Sequence, residues 1–294
     1  MSQPVSTPRI QLIHRDHRRT FQENLYVYAV VSRRSKGVSI GINLNPDKVC
    51  NFDCIYCQVD RVTPAVVRNV DITRLREELE DMLDLVESGR LFEMERFRDT
   101  PPELRRLNDI AFSGDGEPTT FPHFFEAVQM AADVKAQWNL PQLKLVLITN
   151  ATMVHKPQVQ SALALLRTHN GEIWAKLEAG TEDYYQQVDR TTIPFQRILD
   201  NITAEARRAP LVIQAMFMRI HDQPPLVAEV EAFCERLNEI IQAGGQIKLV
   251  QIYTVARVPT EAYVAPLFRT EVDQIVETVR CRTKLAAEAF YGPE

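Results

Sequence analysis

Three cysteines crowd into one short stretch of this sequence. Cys50, Cys54 and Cys57 lie within eight residues, whereas Cys234 and Cys281 are far away along the chain. Three soft thiolate ligands at this spacing suit iron–sulfur or zinc coordination. On a helix the three side chains would fall within roughly 60° of one face, and an irregular loop can also direct them at one centre. The stretch therefore predicts a metal centre.

The absence of a fourth protein ligand distinguishes an iron–sulfur cluster from a zinc site here. A structural zinc site is closed by four tetrahedral ligands, and no cysteine or histidine close to residues 50–57 supplies a fourth. A [4Fe–4S] cube held by three thiolates instead leaves one iron open for a ligand that does not come from the protein. The sequence favours this second kind of centre, with the function located at the open iron.

The cysteine pattern, C-x3-C-x-Φ-C with an aromatic residue directly before the last thiol, resembles the signature of the radical S-adenosylmethionine (SAM) superfamily. Downstream, Gly116-Glu117-Pro118 is similar to the Gly-Glu-Pro element of that family. Later segments also fit the resemblance, at 147–150, 176–180 and 250–257. Together and in this order, these segments look closest to the wyosine-type branch of iron–sulfur oxidoreductases. The resemblance covers about residues 26–260.

This resemblance implies a [4Fe–4S] cluster bound by Cys50, Cys54 and Cys57, with SAM at the open iron. It implies an oxidoreductase- or lyase-type enzyme that cleaves SAM reductively, so that a 5′-deoxyadenosyl radical takes a hydrogen atom from a substrate. A low-potential electron donor of the flavodoxin or ferredoxin type is implied as a partner. The segment Gly116-Glu117-Pro118 looks like the one that binds the methionine ammonium, because backbone carbonyls and a carboxylate can accept its hydrogen bonds. The alternative is an ordinary turn with exposed acids.

Other polar or aromatic residues each have two interpretations. Tyr56 is placed to lie near adenine or to pack within the barrel, and Tyr253 either lines the adenine site or belongs to the core. Asn150 either bonds to the ribose hydroxyls or caps a helix. Lys176 and Glu178 share one strand face by the period of two. They either meet the SAM carboxylate or the substrate, as candidate catalytic residues, or form a salt bridge with each other.

Three residues directly after a predicted strand at 211–218 are candidates for proton transfer on the substrate side, with an exposed surface as the alternative: Arg219, His221 and Asp222. Of the two remaining thiols, Cys234 lies on an apolar helical face and is expected in the core. Cys281 lies between two arginines, and we expect it to be more thiolate-like.

Strand-like and helix-like segments alternate along the chain. The predicted strands are 26–31 and 38–42, which form a hairpin, and then 107–112, 144–149, 173–177, 211–218 and 247–253. The predicted helices are 72–88, 121–137, 156–169, 195–208, 226–242 and 271–287. This alternation implies right-handed βαβ units around a parallel sheet. Six units are too few for an eight-unit barrel. We therefore predict an α/β fold, a partial (β/α)6 TIM-like barrel with parallel strands, which the resemblance also implies; a doubly wound sheet is the alternative.

In either arrangement ligands bind at the carboxyl ends of the strands. The cysteine stretch follows the first parallel strand, and the other candidate site residues follow or close the later ones, so we expect them at one mouth. The expected division of the chain is an N-terminal arm at 1–25, a radical SAM core domain at 26–260 and a C-terminal extension of the same domain at 261–294.

Composition limits the class of protein. A hydrophobic content of 45% with 25% charged residues is ordinary for a globular domain. Five cysteines, three of them crowded at ligand spacing, argue against a disulfide framework. Together with short apolar runs and the lack of a secretory signal, they predict a cytoplasmic protein without a membrane segment. A net charge of −5 does not favour nucleic acid as a partner, although residues 14–36 carry a local excess of basic side chains. We interpret that basic stretch as a solvated face, and the pair His14 and His17 within it as surface.

The substrate stays open between a tRNA base, as in the wyosine-type branch, and a small metabolite or nucleoside. The competing hypothesis is non-catalytic: a structural metal-binding protein, or an adaptor that binds RNA.

Overall fold

A single curved sheet forms the centre of the molecule in the computed structural model, which describes residues 21–292. Its eight strands within that range lie in the order β1-β2-β3-β4-β5-β6-β8-β10. They are β1 (Val27–Ser32), β2 (Gly37–Ile42), β3 (Leu107–Phe112), β4 (Lys144–Thr149), β5 (Gly171–Lys176), β6 (Leu211–Met216), β8 (Ile247–Tyr253) and β10 (Ala287–Phe290). Two short strands, β7 (Arg219–Ile220) and β9 (Val264–Ala265), pair separately as an antiparallel ribbon.

Neighbouring strands from β2 to β10 are parallel, and β1 pairs with β2 as the predicted antiparallel hairpin. The helices that connect or follow the strands are α1 (Ile72–Glu87), α2 (Phe124–Gln137), α3 (Pro157–Thr168), α4 (Glu182–Asp189), α5 (Phe195–Arg208), α6 (Val227–Gln242) and α7 (Arg269–Thr283). The fold is the predicted partial TIM-like barrel of the α/β class. Its sheet gains one further parallel strand, β10, beyond the six that the sequence indicated.

Helix α1 shows how the sequence determines these elements. Asp71 caps its first turn by accepting hydrogen bonds from the backbone N–H groups of Thr73 and Arg74. Its apolar stripe is buried against the sheet, at Leu75, Leu79, Met82 and Val86. A buried acid on the same helix, Glu78, accepts the backbone N–H groups of Leu25, Tyr26 and Val27 at 2.8, 2.8 and 3.1 Å. The helix thereby fixes the point at which the chain enters β1.

The two faces of the sheet have different roles. One face packs on the helices and contributes most of the apolar core. The other face, inside the curve, carries a smaller apolar cluster of Ala111, Val146, Trp174 and Val212. Polar side chains also point inward, and the buried Gln214 donates a hydrogen bond to Gln251 across β6 and β8 at 2.8 Å. The inside of the curve is therefore the polar side on which a ligand site can form.

The predicted elements are wrong at several ends. Pro118–Thr120 form a 3₁₀ turn, and α2 begins only at Phe124. The predicted strand 211–218 ends at Met216, before β7. The predicted helix 271–287 is α7, which starts earlier and ends at Thr283, because Lys284 takes a left-handed conformation with φ 63°. The chain then continues into β10.

One helix was missed by the sequence-based prediction, and one predicted region lies outside the described residues. Helix α4 was not predicted, because it has eight residues, most of them polar. Residues 1–20 of the predicted arm, with His14, His17 and part of the basic stretch, lie outside the described residues. Among residues 21–292, no helix combines the length and apolar character needed to cross a bilayer.

Candidate functional site

The three clustered cysteines lie in an irregular loop between β2 and α1. At its last two cysteines the loop makes a tight turn, in which the N–H of Cys57 donates to the carbonyl of Cys54 at 2.9 Å. Two further backbone bonds anchor the loop to α4, since the N–H groups of Asp53 and Ile55 donate to the carbonyls of Asp189 and Val188 at 3.1 and 2.9 Å. Helix α4, which sequence reasoning missed, therefore holds the cysteine loop in place.

All three thiols line one cavity of about 260 Å³ inside the curve of the sheet. The same wall includes six of the other predicted site residues: Tyr56, Gly116, Glu117, Asn150, Lys176 and Tyr253. The structure thus brings nine predicted residues together from the loops and strand ends of β2, β3, β4, β5 and β8. Pro118 is buried beside this wall at the start of the 3₁₀ turn.

Other predicted residues lie elsewhere. Glu178 is buried directly behind the cavity wall. His221 and Asp222 do not reach the cavity, because the chain leaves β6 at Met216 and enters the β7–β9 ribbon. They are exposed there, and His221 stacks on Tyr263 at 4.7 Å between ring centroids. Arg219 forms an ion pair with Glu271 on the same side of the molecule.

The remaining thiols lie away from the cavity. Cys234 is 1% exposed in the core, as predicted. Cys281 is exposed, and its hydrogen bond to Glu277 raises its pKa. The expectation that Cys281 is more thiolate-like is therefore wrong, because the hydrogen bond and the charge of Glu277 outweigh the opposing charge of Lys284.

Glu117 is the buried centre of the segment after β3. One carboxylate oxygen accepts the hydroxyls of Thr119 and Thr149 at 2.5 and 2.6 Å and the N–H of Thr119 at 3.2 Å. The other accepts the N–H of Asn150 at 2.7 Å. Burial raises the pKa of Glu117, and these hydrogen bonds oppose that shift. The carboxylate is engaged within the protein, and the carbonyls of Glu117 and Pro118 accept the N–H groups of Thr120 and Phe121, both at 3.1 Å. In the described part of the chain this leaves the carbonyl of Gly116 as the group that could accept a hydrogen bond from an ammonium.

Gly116 allows the cysteine loop to approach this segment. A Cβ at this position would lie 2.1 Å from the carbonyl oxygen of Val49, the residue before Cys50. Asn150 makes a second link, because its side-chain amide donates to Asn51 Oδ1 at 2.8 Å. Two strand ends are therefore joined directly to the loop that carries the thiols.

A network of hydrogen bonds connects Tyr56 with the end of β5 and with β8. Lys176 Nζ donates to the Tyr56 hydroxyl at 2.6 Å and forms an ion pair with Glu178 at 3.2 Å. Glu178 also accepts hydrogen bonds from the hydroxyls of Tyr56 and of Tyr253, the latter at 3.2 Å. The salt bridge between Lys176 and Glu178 is thus the arrangement that the structure shows.

A second acid, Asp189 at the end of α4, lies beside this network and was not identified from the sequence. Its Oδ1 is 3.3 Å from Cys54 Sγ. Burial raises the pKa of both Glu178 and Asp189, and their mutual repulsion raises that of Glu178 further. Two buried carboxyl groups this close together favour states in which at least one is protonated.

The electrostatic surroundings of the thiols are mixed. Burial raises the pKa of Cys50 and raises that of Cys54 well above its usual range, with Asp189 adding to the shift of Cys54. Lys176 acts in the opposite direction on both thiols. Arg61 Nη2 lies 3.6 Å from Cys57 Sγ. Ligation requires thiolates, so metal binding here must release protons, and the two cations stabilise the resulting charge.

The donor set fits an iron–sulfur cluster. The three thiols are free and share one cavity wall, and thiolates are the usual protein ligands of such clusters. In the described part of the chain, no three His, Cys, Asp or Glu side chains surround a point that could hold a single metal ion. In a cube, by contrast, each thiolate binds a different iron atom.

Comparisons with known proteins support the same conclusion. A family model described as "Radical SAM superfamily" matches residues 44–222. A UPF0026 protein of Helicobacter pylori is 23% identical over 219 residues, which are 72% of this chain and 63% of the relative. A UPF0026 protein of Methanocaldococcus jannaschii is 24% identical over 250 residues, covering 81% of this chain and 66% of the relative. The chain therefore spans less than two thirds of the length of these curated relatives.

Among solved structures, one described as TYW1 with a lysine-pyruvate adduct bound superposes with a TM-score of 0.51 at 12% identity. The match covers 93% of this chain and 81% of that chain. At this identity the similarity shows a common fold.

Proposed function

This chain belongs to the radical SAM superfamily, and we propose that it abstracts a hydrogen atom from a substrate held in the cavity beside Cys50, Cys54 and Cys57. It is a radical SAM enzyme, and its cofactors are a [4Fe–4S] cluster and SAM. When bound, these cofactors supply a low-potential electron and a 5′-deoxyadenosyl radical, and the protein supplies position and shielding. The observation that carries the proposal is the placement of three free thiols on one cavity wall with Gly116 and Glu117.

The cysteine loop and the segment 116–118 bind the cofactors in this proposal. The thiolates of Cys50, Cys54 and Cys57 hold the cluster at three corners. The backbone carbonyl of Gly116 accepts a hydrogen bond from the methionine ammonium, and the buried Glu117 carboxylate orients the segment 116–118 rather than binding the ammonium itself.

The other predicted residues contribute to SAM or to the substrate. Tyr56 and Tyr253 provide aromatic surfaces for adenine. Asn150 has one amide hydrogen committed to Asn51, so its contribution to the ribose is through the remaining one. Lys176 offsets the negative charge of the thiolates, and Glu178 holds the ammonium of Lys176 and the two tyrosine hydroxyls in place.

The class of substrate is a proposal of its own. The similarity to TYW1 is one of fold alone, and it does not select between a tRNA base and a small metabolite. A low-potential flavodoxin or ferredoxin would deliver the electron.

RNA binding is tested by a gel shift at several salt concentrations, because phosphate contacts weaken steeply as salt rises.

Anaerobic reconstitution tests the enzymatic function. We expect about four iron atoms per chain, as one [4Fe–4S] cluster needs, and dithionite-dependent formation of 5′-deoxyadenosine from SAM. Cys50→Ser, Cys54→Ser and Cys57→Ser should each lose both properties, whereas Cys281→Ser, an exposed thiol outside the cavity, should keep them. One zinc per chain without SAM cleavage would instead support the structural metal-binding alternative.

A further inference from the structure

Two arginines of the β1–β2 turn, Arg33 and Arg34, line the cavity that contains the clustered thiols. The turn lies at one end of the hairpin and reaches the opposite edge of the curved sheet, where Lys36 forms an ion pair with Glu288 of β10 at 2.9 Å. Arg34 stacks over the ring of Tyr253 at 4.9 Å from its centroid. The curvature of the sheet thus brings a basic turn onto the inner wall, on the flank formed by β8.

Within residues 21–292 neither guanidinium forms an ion pair or a hydrogen bond with a carboxylate. The charge of Arg34 does act on Glu178 without direct contact, and it opposes the rise in the pKa of Glu178 that burial causes. The acid in this part of the cavity, Asp109, accepts the hydroxyl of Ser39 instead. Burial, followed by the neighbouring charge of Arg34, lowers the pKa of Arg33 to about 10. Arg33 therefore still carries its charge at neutral pH, close to a second cation, and its side chain is half-buried.

This arrangement is unfavourable unless an anion compensates it. A buried charge is costly without a partner, and two cations side by side repel each other. Arginine is the side chain best suited to bind a phosphate or a carboxylate, because its planar fork donates two parallel hydrogen bonds. Two such forks on the wall of a ligand cavity match an oxyanion that the described protein residues do not supply.

We propose that Arg33 and Arg34 bind an oxyanion group of the substrate, either a phosphate or a carboxylate. The proposal rests on the proposed function, because it places the substrate in the cavity that holds SAM. The carboxylate of SAM is assigned to the open iron on the opposite flank, next to the cysteine loop and residues 116–118. The β1–β2 turn therefore forms the part of the cavity wall that is left for the substrate.

The test is a calorimetric titration of the anaerobically reconstituted protein, with inorganic phosphate in one arm and malonate in the other, at constant ionic strength. We expect saturable binding of at least one of the two anions to the unmodified protein. Tighter binding of phosphate indicates a phosphorylated substrate, and tighter binding of malonate indicates a carboxylate. The double variant Arg33→Gln/Arg34→Gln should bind the preferred anion at least tenfold more weakly.

Two further variants make the result specific. Arg106→Gln removes one positive charge beside the same turn, where Arg106 contacts the carbonyl of Lys36 at 3.5 Å without lining the cavity; it should bind the anion as the unmodified protein does. Arg33→Lys/Arg34→Lys keeps both charges and loses the forks, and it should bind at least threefold more weakly. If the double glutamine variant does not fold, the comparison of Arg106→Gln with the double lysine variant tests whether Arg33 and Arg34 bind the anion.

The proposal is overturned if neither anion saturates, if the glutamine variant binds within twofold of the unmodified protein, or if saturating SAM displaces the anion. The last outcome would assign the arginines to the SAM carboxylate. The titration does not depend on SAM cleavage. Absent anion binding with intact cleavage therefore refutes this inference alone, and absent cleavage with intact anion binding refutes the proposed function alone.

Discussion

The carboxylate of Glu117 accepts the backbone N–H of Asn150 at 2.7 Å, which joins the segment after β3 to the segment after β4. Asn150 in turn donates to Asn51 in the cysteine loop at 2.8 Å. A single buried acid therefore links two strand ends and, through one more side chain, the loop that carries the thiols. We infer that Glu117 acts mainly by positioning its neighbours.

Replacing Glu117 by glutamine tests this role. Each oxygen of the carboxylate accepts one backbone N–H, from Thr119 and from Asn150. An amide has one acceptor oxygen, so one N–H must face an NH₂ group in either orientation. We expect Glu117→Gln to lower the free energy of unfolding by about 1–3 kcal/mol and to reduce iron retention, measured by urea denaturation and iron analysis. Glu126→Gln, at an exposed acid of α2, serves as the control and should change neither quantity.

The close contact between Gly116 and the cysteine loop gives a second prediction. In Gly116→Ala the new methyl group would lie 2.1 Å from the carbonyl oxygen of Val49, so the loop has to move. We expect the variant to fold but to hold substantially less iron after reconstitution.

Gly89→Ala provides the matched comparison. Gly89 has a left-handed φ of 79° with open space around its Cβ position, so alanine there costs about 1 kcal/mol of backbone strain, far from the cavity. Both variants should be less stable in thermal unfolding, and only Gly116→Ala should lose iron. Equal iron content in the two variants would contradict the role assigned to this contact.

The parts of the site that follow strand ends could be predicted from the sequence. Parallel βαβ units place every strand end at one edge, which is why Glu117, Asn150 and Lys176 meet on the cavity wall. Asp189 could not be predicted, since it reaches Cys54 from the end of a short polar helix 135 residues later in the chain.

The hairpin turn was also not predictable from local sequence. A basic turn such as Arg33-Arg34 ordinarily indicates a solvated face, and its inward position depends on how the curved sheet brings its two edges together. His221 and Asp222 show the converse: they follow β6 in sequence, but the β7–β9 ribbon carries them away from the cavity. Sequence order gives the strand to which a residue belongs, and the path of the chain after the strand decides where its side chain lies.

The start of β1 depends on a buried acid of helix α1. Glu78 accepts the backbone N–H groups of three successive residues, Leu25, Tyr26 and Val27. Glu78→Ala leaves these groups without their acceptor, and we expect it to lower the free energy of unfolding by about 3 kcal/mol, since hydrogen bonds to a charged group are the stronger kind. Glu77→Ala, at the exposed neighbouring position, should cost less than about 0.5 kcal/mol. Equal losses in urea denaturation of the two variants would show that the Glu78 bonds add nothing specific.

Asp109 gives a prediction about pH. This buried acid lies inside the curve of the sheet and is bonded to Ser39, and burial raises its pKa to about 6 from the usual 3.8. The folded state therefore binds the proton more tightly than the unfolded state does. The stabilisation that this proton provides is fully present below about pH 4 and is lost as the pH rises through 6, and it amounts to roughly 2–3 kcal/mol.

Asp109→Asn removes this titration and keeps an oxygen that can accept the Ser39 hydroxyl. We expect the variant to gain stability relative to the unmodified protein as the pH rises from 4 to 7, because the unmodified chain must then bury an ionised carboxylate. Urea denaturation at intervals of half a pH unit measures the difference, with Asp133→Asn, at an exposed acid of α2, as the control. If the two proteins had parallel stability curves across this range, Asp109 would have to titrate at its ordinary pKa in the folded state, and the burial argument would fail.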